Sequence, residues 1–276
     1  MLYVTEKLIL LYTFTQMESK IKFSKYQGAG NDFILIDNRN LHFDGKNEVL
    51  IKKLCDRRFG IGADGLMLLQ EKENFDFEMI YFNADGREGT MCGNGGRCIV
   101  AFAKDLNLIS DKTDFLAVDG IHHANLEDHL IDLQMIDVNQ IDRDNDAYVI
   151  NTGSPHYITF KNNLTELDVF NAGYLIRNNE TYKTKGINVN FIEKEGNSGY
   201  FLRTFERGVE DETFACGTGA TAAAMTIALH ENRNGKMTIP IRVLGGQLYI
   251  SFFKEGSSFS EVYLKGPATF VFEGTI

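Results

Sequence analysis

The feature that most constrains this chain is a tetrapeptide written twice. Cys92-Gly93-Asn94-Gly95 recurs as Cys216-Gly217-Thr218-Gly219. Each copy follows an alternating, strand-like run and an acidic, glycine-containing loop, and each opens onto a helical pattern. The spacing repeats as well. Asn31 precedes Cys92 by 61 residues, and Ser154 precedes Cys216 by 62. A four-residue match alone is weak. A match that keeps its distance to a second turn motif implies two pseudo-symmetric lobes facing each other.

The coarse pattern agrees. Strands are predicted over 21–26, 33–36, 75–82, 115–118 and 130–135, with helices over 47–55 and 94–106. An Asp- and Asn-rich stretch, 137–147, reads as the junction between lobes. Beyond it, strands are predicted at 157–160, 188–192 and 200–205, with helices at 168–176 and 218–229. The tail from 237 to 272 reads as strands and glycine turns. Residues 1–19 read as an N-terminal extension. Met17 stands just before the first convincing strand, and the apolar patch Leu8–Leu11 is far shorter than the roughly 20 residues of a membrane span.

A helix start presents unpaired N–H groups and a partial positive charge. A thiol placed there is expected to be acidified from about 8.5 to roughly 3.5–7.5. The glycines let backbone approach a ligand, and the following amides can cradle an anion. Two such helix ends facing one substrate carboxylate would put its Cα between two sulfurs. One thiol then removes a proton from one face while the other delivers a proton to the opposite face. Cys55 and Cys98 lie inside apolar runs and read as small buried hydrophobes.

Composition narrows the alternatives. The net charge of −10 disfavours nucleic acid and anionic membrane surfaces as partners. Four cysteines without C-x-x-C pairs argue against a disulfide scaffold or a zinc site, and favour reduced thiols in a cytoplasmic protein. Gly28-Ala29-Gly30 lacks the third glycine of a dinucleotide fingerprint and reads as a tight turn. His122, His123 and His129 read as a solvated hairpin rather than a metal site. Asp64, Asp85 and Asp211 read as turn formers. No metal and no cofactor is expected.

Gly28-Ala29-Gly30-Asn31-Asp32-Phe33, Phe59–Gly65, Phe82-Asn83-Ala84-Asp85-Gly86, Cys92–Gly95, Glu206-Arg207-Gly208 and Ala215–Gly219 together resemble the diaminopimelate epimerase family, in the family's order. The resemblance implies an α+β fold of two pseudo-symmetric lobes. Each would be a mostly antiparallel sheet or partial barrel wrapped around a central helix, with the active site in the cleft between them. Residues 20–136, with 265–276 returning, would form one lobe and 137–264 the other. It implies a cofactor-free isomerase that converts LL- to meso-diaminopimelate for lysine and peptidoglycan synthesis, acting as a homodimer.

Carried over by position, Cys92 and Cys216 are the acid/base thiols. Gly93, Asn94, Gly217 and Thr218 bind the reacting carboxylate. Asn31, Asn83 and Asn188 are substrate-binding amides, and Arg207 grips the distal carboxylate. Glu206 meets an ammonium group, and His156 and Glu206 tune the thiols. Ser154 stands where many members have Asn, which puts a direct contact in doubt. Gly65 stands where some have Gln, so that only backbone could replace that contact. A two-thiol racemase of proline or hydroxyproline is the nearest alternative, disfavoured by the charged Glu206-Arg207 pair. A thiol redox protein is a more distant one.

Overall fold

The computed structural model describes residues 20–196 and 199–276. The predicted extension 1–19 lies outside the described residues. The first half runs β1 (Lys22–Gly28), β2 (Asn31–Asp37), α1 (Glu48–Cys55), β3 (Gly65–Gln70), β4 (Phe77–Asn83), α2 (Gly93–Asp105), β5 (Lys112–Ala117), β6 (Gly120–Glu127) and β7 (Leu130–Gln134). After β8 (Ile141–Asp144), the second half runs β9 (Ala147–Asn151), β10 (Pro155–Phe160), α3 (Val169–Arg177), β11 (Asn188–Glu195), β12 (Gly199–Glu206), β13 (Asp211–Thr213) and α4 (Gly217–His230). It ends with β14 (Gly235–Val243), β15 (Gly246–Glu255), β16 (Ser258–Pro267) and β17 (Thr269–Thr275).

The strand pairings repeat in the same order. β1–β2 is antiparallel, β2–β3 parallel, β3–β4 antiparallel, β4–β5 parallel, and β5–β6–β7 antiparallel. The series β9–β10, β10–β11, β11–β12, β12–β14 and β14–β15–β16 has the same senses. Each half is therefore mostly antiparallel, as predicted, with two parallel pairs set into it. The parallel pairs arise where a helix lies between two strands, because only a crossover returns the chain in the same direction. The halves are stitched by β16 on β7, and β17 returns to pair with β1.

Each main helix is the centre of its half. α2 buries Cys98, Ile99, Phe102 and Ala103 among Phe33, Met67, Phe77, Phe115 and Leu133. α4 is buried on nearly every face by Ile158, Leu202, Ile239, Ile250 and Leu264. Its alanines let strands approach on all sides, as expected of a helix apolar all round. The predicted burial of Cys55 and Cys98 is observed.

Five strands escape the sequence pattern, among them the three-residue β13, whose Asp211 reads as a turn former. β3 is a continuous buried run, Leu66–Leu69, which periodicity cannot separate from a buried helix. β6 and β9 were also missed. β8 falls inside the Asp-rich stretch read as a junction. Its side chains are largely solvated, but its backbone pairs with β9. The Gly28-Ala29-Gly30 turn is a two-residue hairpin with both central residues at positive φ (Ala29 53°, Gly30 87°), which matches the twist of the strands it joins. His122 and His123 stand on β6, and the His122 ring stacks on Phe115.

Candidate active site

Cys92 and Cys216 are the residues immediately before α2 and α4, in nearly the same extended conformation (φ −113°, ψ 129° and φ −119°, ψ 112°). The first intrahelical bonds are Gly96 N–H to Cys92 O, 2.7 Å, and Ala220 N–H to Cys216 O, 2.9 Å. The amides before them have no partner within the helix. The two helix ends meet across the halves. A Cβ on Gly93 would lie 3.7 Å from Gly217 Cα, and a Cβ on either glycine would crowd Leu264 Cδ2 (3.0 and 2.8 Å). The repeated glycine is what allows the two amide clusters to converge. Asn94 Nδ2 also reaches across to Ala215 O at 3.0 Å.

Around Cys92 the hydrogen bonds run away from sulfur. The thiol lies 3.7 Å from Asn31 Oδ1 and donates to it. The Asn31 amide orientation is set by Asp64, an acceptor that takes its Nδ2. Asp64 also accepts from Asp32 N–H (3.1 Å) and Arg57 (2.7 Å). Asp64 is thus more than the turn former read from the sequence. The Asn94 side chain is engaged on both sides, donating to Ala215 O and Asn31 Oδ1 and accepting from Arg97 at 2.8 Å. Its backbone is the part left to meet a ligand.

Around Cys216 the bonds run toward sulfur. Asn190 accepts from Thr204 Oγ1 through Oδ1, so its Nδ2 faces His156 Nδ1 at 3.1 Å. That fixes the imidazole tautomer with hydrogen on Nε2, which donates to the Ser154 and Thr218 hydroxyls, each at 2.9 Å. Asn188 accepts the Arg207 N–H through Oδ1 and turns Nδ2 to Ser154 Oγ at 3.2 Å. With these donors arriving, the Thr218 hydroxyl is left to donate to Cys216 Sγ, 3.5 Å away. His156 is completely buried, and burial, aided by the Arg207 charge, lowers its pKa to about 3. It is a neutral donor. Asn190, Thr213 and Arg97 carry no sequence signal of their own. Each is identified only by the cross-strand or helical partner it holds.

Glu206 ends β12, half-buried, with Oε2 accepting from Thr213 Oγ1 at 2.8 Å, and burial raises its pKa. Arg207 is exposed, and one guanidinium nitrogen is tied to Lys185 O at 3.2 Å. Asn83 is exposed at the end of β4, with Gly89 beneath its amide. Ser154 belongs to the Cys216 network. Gly65 faces Tyr81: a Cβ there would sit 2.4 Å from the ring and 2.8 Å from its hydroxyl oxygen. A phenol, rather than backbone alone, fills the space left at position 65.

The acidified thiols expected from the helix ends are not found in this arrangement. Burial raises both, and the Glu206 carboxylate raises them further. The amides of Asn94 and Gly95 oppose this at Cys92. At Cys216 the Thr218 hydroxyl and the Gly219 amide oppose it. Desolvation wins because it is the largest influence on both buried thiols.

The diaminopimelate epimerase family model matches residues 23–132 and 148–271. The chain belongs to the diaminopimelate epimerase family. It is 52% identical over 257 residues to the diaminopimelate epimerase of Flavobacterium psychrophilum, covering 93% of this chain and 100% of that one. Identity to the Chlorobaculum tepidum diaminopimelate epimerase is 44% over 261 residues (90% and 98% of the two chains). More distant solved structures share the two-lobed fold. They include a phenazine biosynthesis protein of the PhzF family from Bacillus anthracis (TM-score 0.72, 15% identity, 94% and 99% covered). A hydroxyproline epimerase from Agrobacterium vitis is another (TM-score 0.68, 11% identity, 94% and 93% covered). As a member of this epimerase family, the chain is an isomerase.

Proposed function

We propose that this enzyme inverts one stereocentre of LL-2,6-diaminopimelate to give the meso isomer, a precursor of lysine and peptidoglycan, with Cys216 as base and Cys92 as acid. The carrying observation is that two cysteines on two abutting helix ends have oppositely directed hydrogen bonds. Donors converge on Cys216 and favour its thiolate. Cys92 faces an acceptor, which favours its thiol. The unpaired amides of Gly93–Gly95 and Gly217–Gly219 hold the reacting carboxylate and stabilise charge as the Cα carbanion forms. The Cys216 thiolate takes the Cα proton, and the Cys92 thiol returns one to the opposite face. Negative charge thereby passes from one sulfur to the other.

Substrate choice rests on the groups around the thiols. Glu206 suits an ammonium, Arg207 a distal carboxylate held by its planar fork, and Asn31, Asn83 and Asn188 the remaining polar groups. A proline-type substrate has no second charged end for Glu206-Arg207. The lobes are taken as 20–136 with 265–276 and as 137–264, supported by β17 on β1 and by the separate cores around α2 and α4. A homodimer is supported by the exposed apolar row Phe270, Val271 and Phe272 on β17. No helix among the described residues is long and apolar enough to cross a membrane. A cytoplasmic setting is supported by four free thiols.

The test is to incubate reduced enzyme with LL-diaminopimelate in deuterated water and follow the Cα proton by NMR. Deuterium wash-in accompanied by the meso isomer is expected. Exchange with proline but not with diaminopimelate would overturn the substrate, and exchange by the Cys92→Ala/Cys216→Ala double variant would overturn the mechanism.

A further inference from the structure

Arg97 is the largest completely buried side chain among the described residues. It sits in the second turn of α2, five positions after Cys92. Its guanidinium donates to Gly93 O (3.1 Å), Asn94 Oδ1 (2.8 Å) and Pro267 O (3.4 Å), all neutral acceptors. Among the described residues no carboxylate lies within ion-pair reach of it. A buried cation without an anion is costly, and such charges are ordinarily paired. The ionisable groups whose charge acts on Arg97 are Cys98 and Cys92. Cys98 lies inside the α2 core, away from any free amide, and burial pushes its thiol up to about 12. Cys92 lies at the helix start. Five positions after Cys216, the matching residue is Thr221, a neutral hydroxyl bonded back to Gly217 O at 3.0 Å.

We propose that Arg97 is a positioning residue that supplies the counter-charge for Cys92, stabilising the thiolate left there once this cysteine has given up its proton. The inference rests on the two-thiol reading above. A two-base isomerase must carry its negative charge on either sulfur at comparable cost, or one direction of turnover stalls. At Cys216 the Thr218 hydroxyl, fed by His156 and Ser154, meets the charge. At Cys92 the neighbouring side-chain amide is turned the wrong way, with Asn31 presenting oxygen. The guanidinium offsets this from behind. Other charged or titratable groups bear on Cys92: Glu206 from β12, Cys216 from α4, Cys98 from α2 and Tyr81 from β4. Each is neutral or anionic, so Arg97 is the cation of the set.

The test reads the thiols without substrate. The reduced wild-type enzyme and its Arg97→Gln and Arg97→Lys variants are treated with iodoacetamide across pH 6 to 10. Labelling of the Cys92 and Cys216 peptides is quantified by mass spectrometry, with folding checked by circular dichroism. The expected result is that Arg97→Gln slows Cys92 labelling by about tenfold relative to Cys216, the size of one partly screened charge contact. Arg97→Lys, which keeps the charge, should restore most of it. An unchanged Cys92-to-Cys216 ratio in folded Arg97→Gln would overturn the proposal, as would a lysine variant indistinguishable from the glutamine one. Failure of wild-type epimerisation would instead overturn the underlying reading. If Arg97→Gln does not fold, Arg97→Met replaces it.

Discussion

The starts of α2 and α4 carry the same four-residue signature but handle charge differently. At α4 the thiol is served by a directed chain of neutral donors, from Asn190 and Asn188 through His156 and Ser154 to Thr218. At α2 the thiol faces an acceptor, Asn31, and a buried guanidinium stands behind it. The glycines differ too. A Cβ on Gly219 would strike Asn190 Oδ1 at 2.5 Å, whereas on Gly95 it would meet only the methionines Met67 and Met79, at an ordinary 3.4 Å and 3.6 Å. Duplication of a backbone frame therefore does not impose duplication of its electrostatics. The frame fixes where two sulfurs sit, and the side chains behind each decide which form it favours.

The harshest way to break the comparison is to remove one thiol at a time. Cys92→Ala and Cys216→Ala should each lower kcat for epimerisation by roughly 10³-fold or more, the scale of a lost acid/base group. They should differ in exchange. In deuterated water, Cys92→Ala should retain some wash-out of the LL Cα proton, because the base at Cys216 remains. Cys216→Ala should lose it. Equal exchange by both variants would contradict the assignment of base and acid.

The two fourth-position glycines provide the next test. Gly219→Ala pushes into a buried amide already held by Thr204 and His156, and overpacking of this kind costs about 1–3 kcal/mol. It should lower both thermal stability and kcat, because Asn190 cannot move without releasing His156. Gly95→Ala should leave activity within about twofold and gain up to about 1 kcal/mol of helix propensity. Matching losses in the two variants, measured by thermal denaturation and initial rates, would show that the two ends are equivalent after all.

How much of this was legible beforehand follows from the range of each interaction. The tetrapeptide, its spacing and the glycine turn are local, so sequence carried them and the helices they open. Sequence also reached Cys92, Cys216, His156 and Glu206 through the family motifs. Asp64 was read as a turn former because the amide it orients, Asn31, is on another strand. Arg97 looked like any charged residue on a helix, since nothing adjacent to it shows that β16 and β17 close over that face. The expected acid shift of the thiols failed for a related reason. A helix start is a local feature, whereas the desolvation that outweighs it comes from packing by residues distant in sequence.

The α4 end has an acid limit that the α2 end lacks. His156 titrates at about 3 in the fold, against 6.5 for the free side chain. In the window between those values the unfolded chain binds the extra proton and the folded one does not. The histidine therefore favours unfolding as pH falls from 6.5 toward 3, and its folded-state advantage is fully present only above 6.5. The slope is at most about 1.4 kcal/mol per pH unit for one group. Urea titrations of the wild type and His156→Gln between pH 7 and 5 should converge as pH falls. Parallel curves would mean that the buried imidazole takes up its proton without unfolding.

The smallest effect is expected at Tyr81, on the Cys92 side. Its ring occupies the space above Gly65, and its hydroxyl feels the charges of Cys92, Asp64 and Glu206 together. Burial suppresses its ionisation, which leaves a neutral hydroxyl close to the charge of Cys92. Tyr81→Phe keeps the packing against Phe33, whose ring lies 6.1 Å away edge-on, and removes only the hydroxyl. KM for diaminopimelate should rise a few-fold, about 1 kcal/mol for one neutral hydrogen bond, with kcat nearly unchanged. A fall in kcat instead would move Tyr81 from the binding surface into the chemistry at Cys92. It would also make the two helix ends more unlike than their shared signature already allows.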